Sequence, residues 1–239
     1  MRERIEFGIK NLDDLLYGGI PAGDQVVVAG GPGAGKTLLS FEYLYNNAKK
    51  GRVSTLFSLE EKSNIIIDNA KTAFTSFTDI DDLISKGMLN IYGAEDNESY
   101  LARDEDSGTY QIKDWIGYIQ ATITSTNSKC IAIDSVSVLK ILIRDMFDYR
   151  NLTIQLIADL KNLHVTSLVN MELETADKEK LTFQPEFFIY DGIIALYLAG
   201  EGNDRVQTLE VIKMRGTQHS FNTVPYEITS SGIRLLTVR

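Results

Sequence analysis

Cysteine is nearly missing from this 239-residue chain, which carries Cys130 alone. An internal disulfide is therefore excluded, and the apolar surroundings Cys130-Ile131-Ala132-Ile133 assign the thiol to the core as a small hydrophobe and not to redox chemistry. A surplus of positive charge is missing too. With 24 Lys and Arg against 33 Asp and Glu, the net charge is −9, which argues against a surface built mainly for nucleic acid while leaving room for a local basic groove. No apolar run approaches the roughly 20 residues that a bilayer span requires. The first residues, Met1-Arg2-Glu3-Arg4-Ile5-Glu6, lack the apolar segment of a secretion signal, so no membrane partner is expected and the expected compartment is the cytoplasm. Internal repeats are absent as well. What is present is the composition of a globular protein, 44% apolar and 24% charged, long enough to bury a large α/β core in a single domain spanning residues 1–239.

One stretch organises the rest. Gly30-Gly31-Pro32-Gly33-Ala34-Gly35-Lys36-Thr37 fits the phosphate-loop pattern G-x-x-x-x-G-K-[ST] at every specified position. Glycines let the backbone wrap a polyphosphate and turn its N–H groups inward. Lys36 is expected to place a cation on the β- and γ-phosphates, and the Thr37 hydroxyl to hold Mg²⁺ at the positive end of a helix. The residues expected to touch the nucleotide here are Gly31, Pro32, Gly33, Ala34, Gly35, Lys36, Thr37 and Leu38. The flanks agree: Gln25-Val26-Val27-Val28-Ala29 reads as a buried strand, and Leu38, Phe41, Tyr45 and Ala48 recur at helical spacing.

Taken in order, an opening segment (1–24) predicts a short helix closed by Gly18-Gly19. A core (25–199) follows, then C-terminal antiparallel hairpins (200–239). Val53 to Leu59 reads as a strand ending in Glu60-Glu61, carboxylates placed to orient and deprotonate a water beside the loop. The competing reading is an acidic helix start capped by Ser63. Residues 78–87 predict a helix and 88–92 a strand. Between Gly93 and Gly108 six acids surround one basic residue, Arg103; this reads as a solvated loop, with partner docking as the alternative. Tyr110 to Ser125 predicts a helix, and the apolar run from Cys130 ends in Asp134, a strand-tip acid suited to the Mg²⁺ side of the site. Tyr149 to Leu163 is a long amphipathic helix closed near His164, and Val165 to Met171 a strand. Glu172 and Glu174 at its end stand on the ligand side of an α/β sheet. Two β-type runs around 200–204 form a hairpin, whose second strand ends in Lys213-Met214-Arg215-Gly216-Thr217-Gln218-His219. Lys213 and Arg215, on alternate residues, share one face.

The opening pattern G-[IV]-x-x-L-D-x-L-L-x-G-G-I-P-x-G, the phosphate loop, the Glu pair, the acid-tipped strand, the K-[LM]-R-G-[ST]-x-H signature and a terminal hairpin run in one order over residues 6–235. Together they resemble the KaiC and RadA branch of the RecA superfamily of ATPases, in a single-domain, archaeal-type form. The resemblance implies a RecA-like fold: a mainly parallel twisted sheet flanked by helices. It also implies Mg²⁺-dependent ATP hydrolysis in a homo-oligomeric ring, commonly a hexamer, with nucleotide between subunits. Carried over by position, Lys213 and Arg215 act in trans on the neighbour's γ-phosphate, and Thr72, Met214, Thr217, His219, Thr229 and Ser230 lie round base and ribose. Phe187 and Phe188 stand where the clock protein's phosphorylated Ser-Thr pair would be, so autokinase activity is not expected. Weaker expectations are a nucleotide-gated scaffold with a protein client, and a single-stranded-DNA module using loops 139–150 (Lys140, Arg144, Arg150) and 174–185 (Lys178, Lys180).

Overall fold

A computed structural model describes residues 2–101, 112–143, 145–173, 184–199 and 206–236. The opening segment pairs Arg4–Ile5 (β1) antiparallel with Ile20–Pro21 (β2) around the helix Lys10–Leu15 (α1). Alternating strands and helices follow: Gln25–Gly30 (β3), Lys36–Lys49 (α2), Ser54–Ser58 (β4), Ser63–Ala73 (α3), Ile80–Ser85 (α4), Leu89–Tyr92 (β5), Ala94–Leu101 (α5), Ile112–Thr126 (α6), Cys130–Asp134 (β6), Ser137–Leu142 (α7), Met146–Asn162 (α8) and Thr166–Glu172 (β7). A 3-10 turn at Pro185–Phe188 leads to Gly192–Ala199 (β8), Val206–Met214 (β9), Thr223–Thr229 (β10) and Gly232–Leu235 (β11).

One nine-stranded sheet runs in the order β11-β10-β9-β8-β3-β7-β6-β4-β5. From β8 to β5 every pairing is parallel, so the carboxyl ends of these strands lie along one edge. The C-terminal strands continue the same sheet antiparallel and are not a separate appendage. Period-two alternation sends Val26 and Val28 into one core with α2, α3, α4 and the opening segment. Val27 and Ala29 enter a second core with α6, α7 and α8. Such two-sided burial explains the apolar runs Val26–Ala29 in β3 and Cys130–Ile133 in β6. No helix among the described residues is long and apolar enough to cross a membrane.

Three expectations change. The acidic stretch after Gly93 is helical as far as Leu101, because its polar residues are used locally. Asp96 accepts the Gly93 N–H at 2.9 Å, Glu95 accepts the Ser63 N–H at 3.0 Å, and buried Asn97 donates to the Ser58 and Gly93 carbonyls while accepting from the Trp115 indole. Its remainder, 102–108, lies outside the described residues, as do Glu174, Lys178, Lys180 and the turn 200–205. The stretch 139–150 is mostly helix and not loop; Asp145 caps α8 by accepting the Phe147 and Asp148 N–H groups. Ser63 is the first residue of α3, not its cap, and its hydroxyl bonds Glu95 instead.

Glu42 joins α2 to the last hairpin. Its buried carboxylate accepts the Ile233 N–H at 2.7 Å, and a Cβ at Gly232 would stand 2.3 Å from its Oε1, so only glycine fits there, at φ +119°. Burial pushes the Glu42 carboxyl up from 4.5 to about 7. An acid raised in the folded state contributes fully below its unfolded pKa, and that contribution falls as pH rises between the two values. Glu42→Gln keeps the neutral acceptor. Denaturant titrations should show no stability gain for this variant near pH 4.5 and a gain of up to about 3 kcal/mol at pH 8. Asp13, raised by burial to about 6, is common to both proteins and cancels in the difference.

Candidate nucleotide site at the strand ends

Strand β3 ends at Gly30 and α2 begins at Lys36, with Gly35 at φ +82° as the helix N-cap. The turn leaves the first N–H groups of α2 unpaired within the helix and facing outward, a setting for an anion. Lys36 folds back over the loop, donating to the Gly30 and Gly31 carbonyls at 2.9 and 3.1 Å. Burial lowers its pKa, opposed by the nearby carboxylates of Glu172, Asp134 and Glu60. The three acids follow or end different strands: Glu172 at the end of β7, Asp134 at the end of β6 and Glu60 just past β4.

Asp134, at the tip of β6, is nearly buried and engaged on both oxygens. Thr37 Oγ1 donates to Oδ2 at 2.6 Å, and Asn170 Nδ2 donates to Oδ1 at 2.9 Å. Asn170 Oδ1 accepts from Ser40 Oγ at 2.8 Å, so one polar chain links α2, β7 and β6 behind the loop. Thr37 and Asp134 form an all-oxygen donor set of the kind that hard divalent cations take. Next along the backbone, Ser135 donates to Glu60 Oε1 at 2.6 Å. The Glu pair divides here. Glu60 faces Ser135 and Lys36, whereas Glu61 turns toward Asn69 Nδ2 at 3.5 Å on α3.

The C-terminal hairpin covers the loop. Tyr226 donates its hydroxyl to the Ala34 carbonyl, and a Cβ at Gly35 would meet the Ile228 side chain at 2.9 Å. Thr229 and Ser230 occupy the β10–β11 turn, where Ser230 O accepts the Ser76 N–H at 3.0 Å, just past the end of α3, on whose last turn Thr72 lies exposed. The turn thus lies farther along α2, where Ser76 and Ser231 line one cavity with Tyr45 and Asn46, and it is Tyr226 and Ile228 that reach the loop.

The K-M-R signature does not. Met214 pairs with Gly192, which pairs with Val26, while the loop begins beyond Gly30, paired with Leu196. That places Lys213, Met214 and Arg215 at the opposite end of the sheet, about 13 Å of strand from the chain's own loop. There Lys213 donates to the Phe187 and Tyr190 carbonyls at 3.3 and 2.6 Å, and Arg215 to the Phe188 carbonyl at 2.7 Å. Thr217 accepts from Arg4, and His219 lies against Phe221, with Ser220 N–H tied to the Leu15 carbonyl. The signature's far half therefore packs on the opening segment.

A family model described as "ATPase: KaiC" matches residues 5–238. The chain belongs to the KaiC ATPase family. Relatives include a circadian clock oscillator protein KaiC of Picosynechococcus, 33% identical over 98% of this chain but 44% of its own length. The chain thus spans less than half of the clock proteins. It matches the UPF0273 proteins of Aeropyrum pernix (32% identical) and Thermotoga maritima (31%) over 93% and 96% of their lengths. A KaiC-like protein from Pyrococcus horikoshii OT3 shares the fold, with TM-score 0.83 at 24% identity over 99% of this chain and all of that one. The loop, Glu60 and the strand-tip Asp134 fall together here, while Glu61 does not join them.

Ser135, Asn170, Ser40 and Tyr226 were missed in the sequence. A polar residue inside the apolar run 165–171 was the available signal for Asn170. Replacing Asn170 by Leu should leave Asp134 Oδ1 and the Ser40 hydroxyl without the partners they have here and cost about 3 kcal/mol by denaturant unfolding.

Proposed function

We propose that this chain is a single-domain Mg²⁺-dependent ATPase that works as a ring-shaped homo-oligomer, a hexamer by family resemblance, with each nucleotide shared by two subunits. The observation that carries the reading is the split of the site. Loop, base and metal-side acid converge at one end of the sheet, and the paired cations Lys213 and Arg215 stand at the other. A cation pair that its own phosphates cannot reach suits a neighbour's phosphates, where it offsets charge developing on the transferred group.

In this reading the N–H groups of Gly31, of Gly33 to Thr37 and of Leu38 cradle the phosphates, Pro32 having none to give, and Lys36 leaves its carbonyls for the β- and γ-oxygens. Thr37 and Asp134 would hold Mg²⁺, which neutralises phosphate charge when bound. Glu60, oriented by Ser135, accepts a proton from water as its oxygen attacks the γ-phosphorus and the bond to the β–γ bridging oxygen breaks. Glu61, turned toward Asn69, is the lesser partner of the pair. Thr72, Thr229 and Ser230 flank the base and ribose from this chain; Met214, Thr217 and His219 approach from the neighbour.

Steady-state phosphate release tests the chemistry. Lys36→Ala and Glu60→Gln should each lower kcat by at least about 10²-fold, and Glu61→Gln by less than about tenfold; unchanged turnover in the first two would sink the ATPase reading. Mixing tests the sharing. Lys36→Ala and Arg215→Ala chains, each slowed strongly but still measurable, should regain turnover together, because mixed interfaces pair an intact loop with an intact cation. No recovery on mixing would return Arg215 to its own chain.

A further inference from the structure

The far end of the sheet holds a cluster that neither the loop chemistry nor the family pattern uses. Asp191 precedes β8 and is nearly buried. Its backbone is fixed on two sides: its N–H donates to the Gln25 carbonyl at 2.9 Å, and its carbonyl accepts the Arg215 N–H at 2.8 Å. Its carboxylate is fixed as well. Oδ2 accepts the Gln25 N–H at 3.0 Å, which leaves Oδ1 facing outward between Lys161 Nζ at 2.8 Å and Arg215 Nη1 at 3.6 Å. Lys213, on the same strand end, also feels this carboxylate and the charges of Arg215 and Lys161. Asp24, salt-bridged to Arg2, stands close enough to repel Asp191.

A buried anion beneath exposed cations organises them. Arg215 has half its side chain in solvent and two anchors, the Phe188 carbonyl and Asp191; a guanidinium held at two points keeps its direction where one held at a single point swings. Asp191 touches no nucleotide group of its own chain, since it lies with Gly192 at the end of the sheet away from Gly30. We propose that Asp191 is the positioning residue for the trans-acting cations, aiming Arg215 toward the neighbour's phosphates, and that Lys161 competes with Arg215 for its outward oxygen. The proposal rests on the shared-site reading above. Lys161 ends α8, so a movement of that helix changes how much of the Asp191 charge Arg215 receives.

The experiment is a double-mutant cycle on the assembled protein, read as kcat and KM for ATP. Asp191→Asn preserves an acceptor for the Gln25 N–H and removes the charge. It should lower kcat by about tenfold or more, with KM changed less than about twofold because the loop is untouched. On an Arg215→Ala background the same substitution should cost nothing further. An equal loss on both backgrounds overturns the proposal and makes Asp191 a purely structural acid. Should Arg215→Ala itself leave turnover intact, the shared-site reading fails and the proposal with it. Lys161→Gln, at a half-exposed helix end, provides the arm that does not depend on Asp191→Asn folding. It should raise kcat about twofold when Arg215 is present and have no effect when it is absent. No change on either background overturns the competition.

Discussion

The Asp134 carboxylate, gripped by the Thr37 hydroxyl at 2.6 Å and the Asn170 amide at 2.9 Å, is the contact on which the site depends. A nearly buried acid is tolerated only when its oxygens are paired, because desolvating an unpaired carboxylate costs several kcal/mol. Its partners come from the helix after the loop and from the strand between loop and acid. Satisfying the acid therefore fixes the loop helix, β7 and β6 relative to one another. Ser40 completes the network behind Asn170, and Ser135, the next residue along, extends it to Glu60. Glu60, Asp134 and the loop are thus aligned by one set of hydrogen bonds instead of three independent placements.

Charge in this protein is sorted by the two ends of the sheet. At the carboxyl edge the charges of Glu172, Asp134 and Glu60 all act on Lys36. At the amino edge Lys161, Lys213 and Arg215 surround Asp191. In the shared-site proposal this polarity is what would let a second copy pack head to tail, cation end to acid end. The antiparallel extension serves both ends: β9 carries the cations to one, and β10 returns to set Tyr226 and Ile228 against the loop at the other.

Much of this was legible in the residues. The phosphate loop, the apolar strands β3 and β6, and the helix α2 after the loop follow from glycine spacing and hydrophobic period, which are local. The acidic stretch from Gly93 was misjudged because composition does not say where a carboxylate points. Glu95 and Asp96 cap neighbouring elements, and Asn97 is drawn into the core by Trp115. The helices over 137–162 were obscured in part for a similar reason, since the cap at Asp145 is recognised only once its two N–H partners are in place.

The sequence by itself determined the chemistry available: a polyphosphate cradle, a lysine, a metal-side hydroxyl and acid, a carboxylate pair and a cation pair. Each is a short-range pattern, set by residue type and spacing along one element. Tertiary structure alone decided their grouping. It separated Glu60 from Glu61, because Ser135 takes one and α3 the other. It also set Lys213 and Arg215 at the far end from Gly30, because sheet register, which depends on strands distant in sequence, governs which end of a strand a side chain occupies. Likewise it brought Asp191 beneath Arg215, a pair 24 residues apart that only the closing of β8 onto β9 makes neighbours.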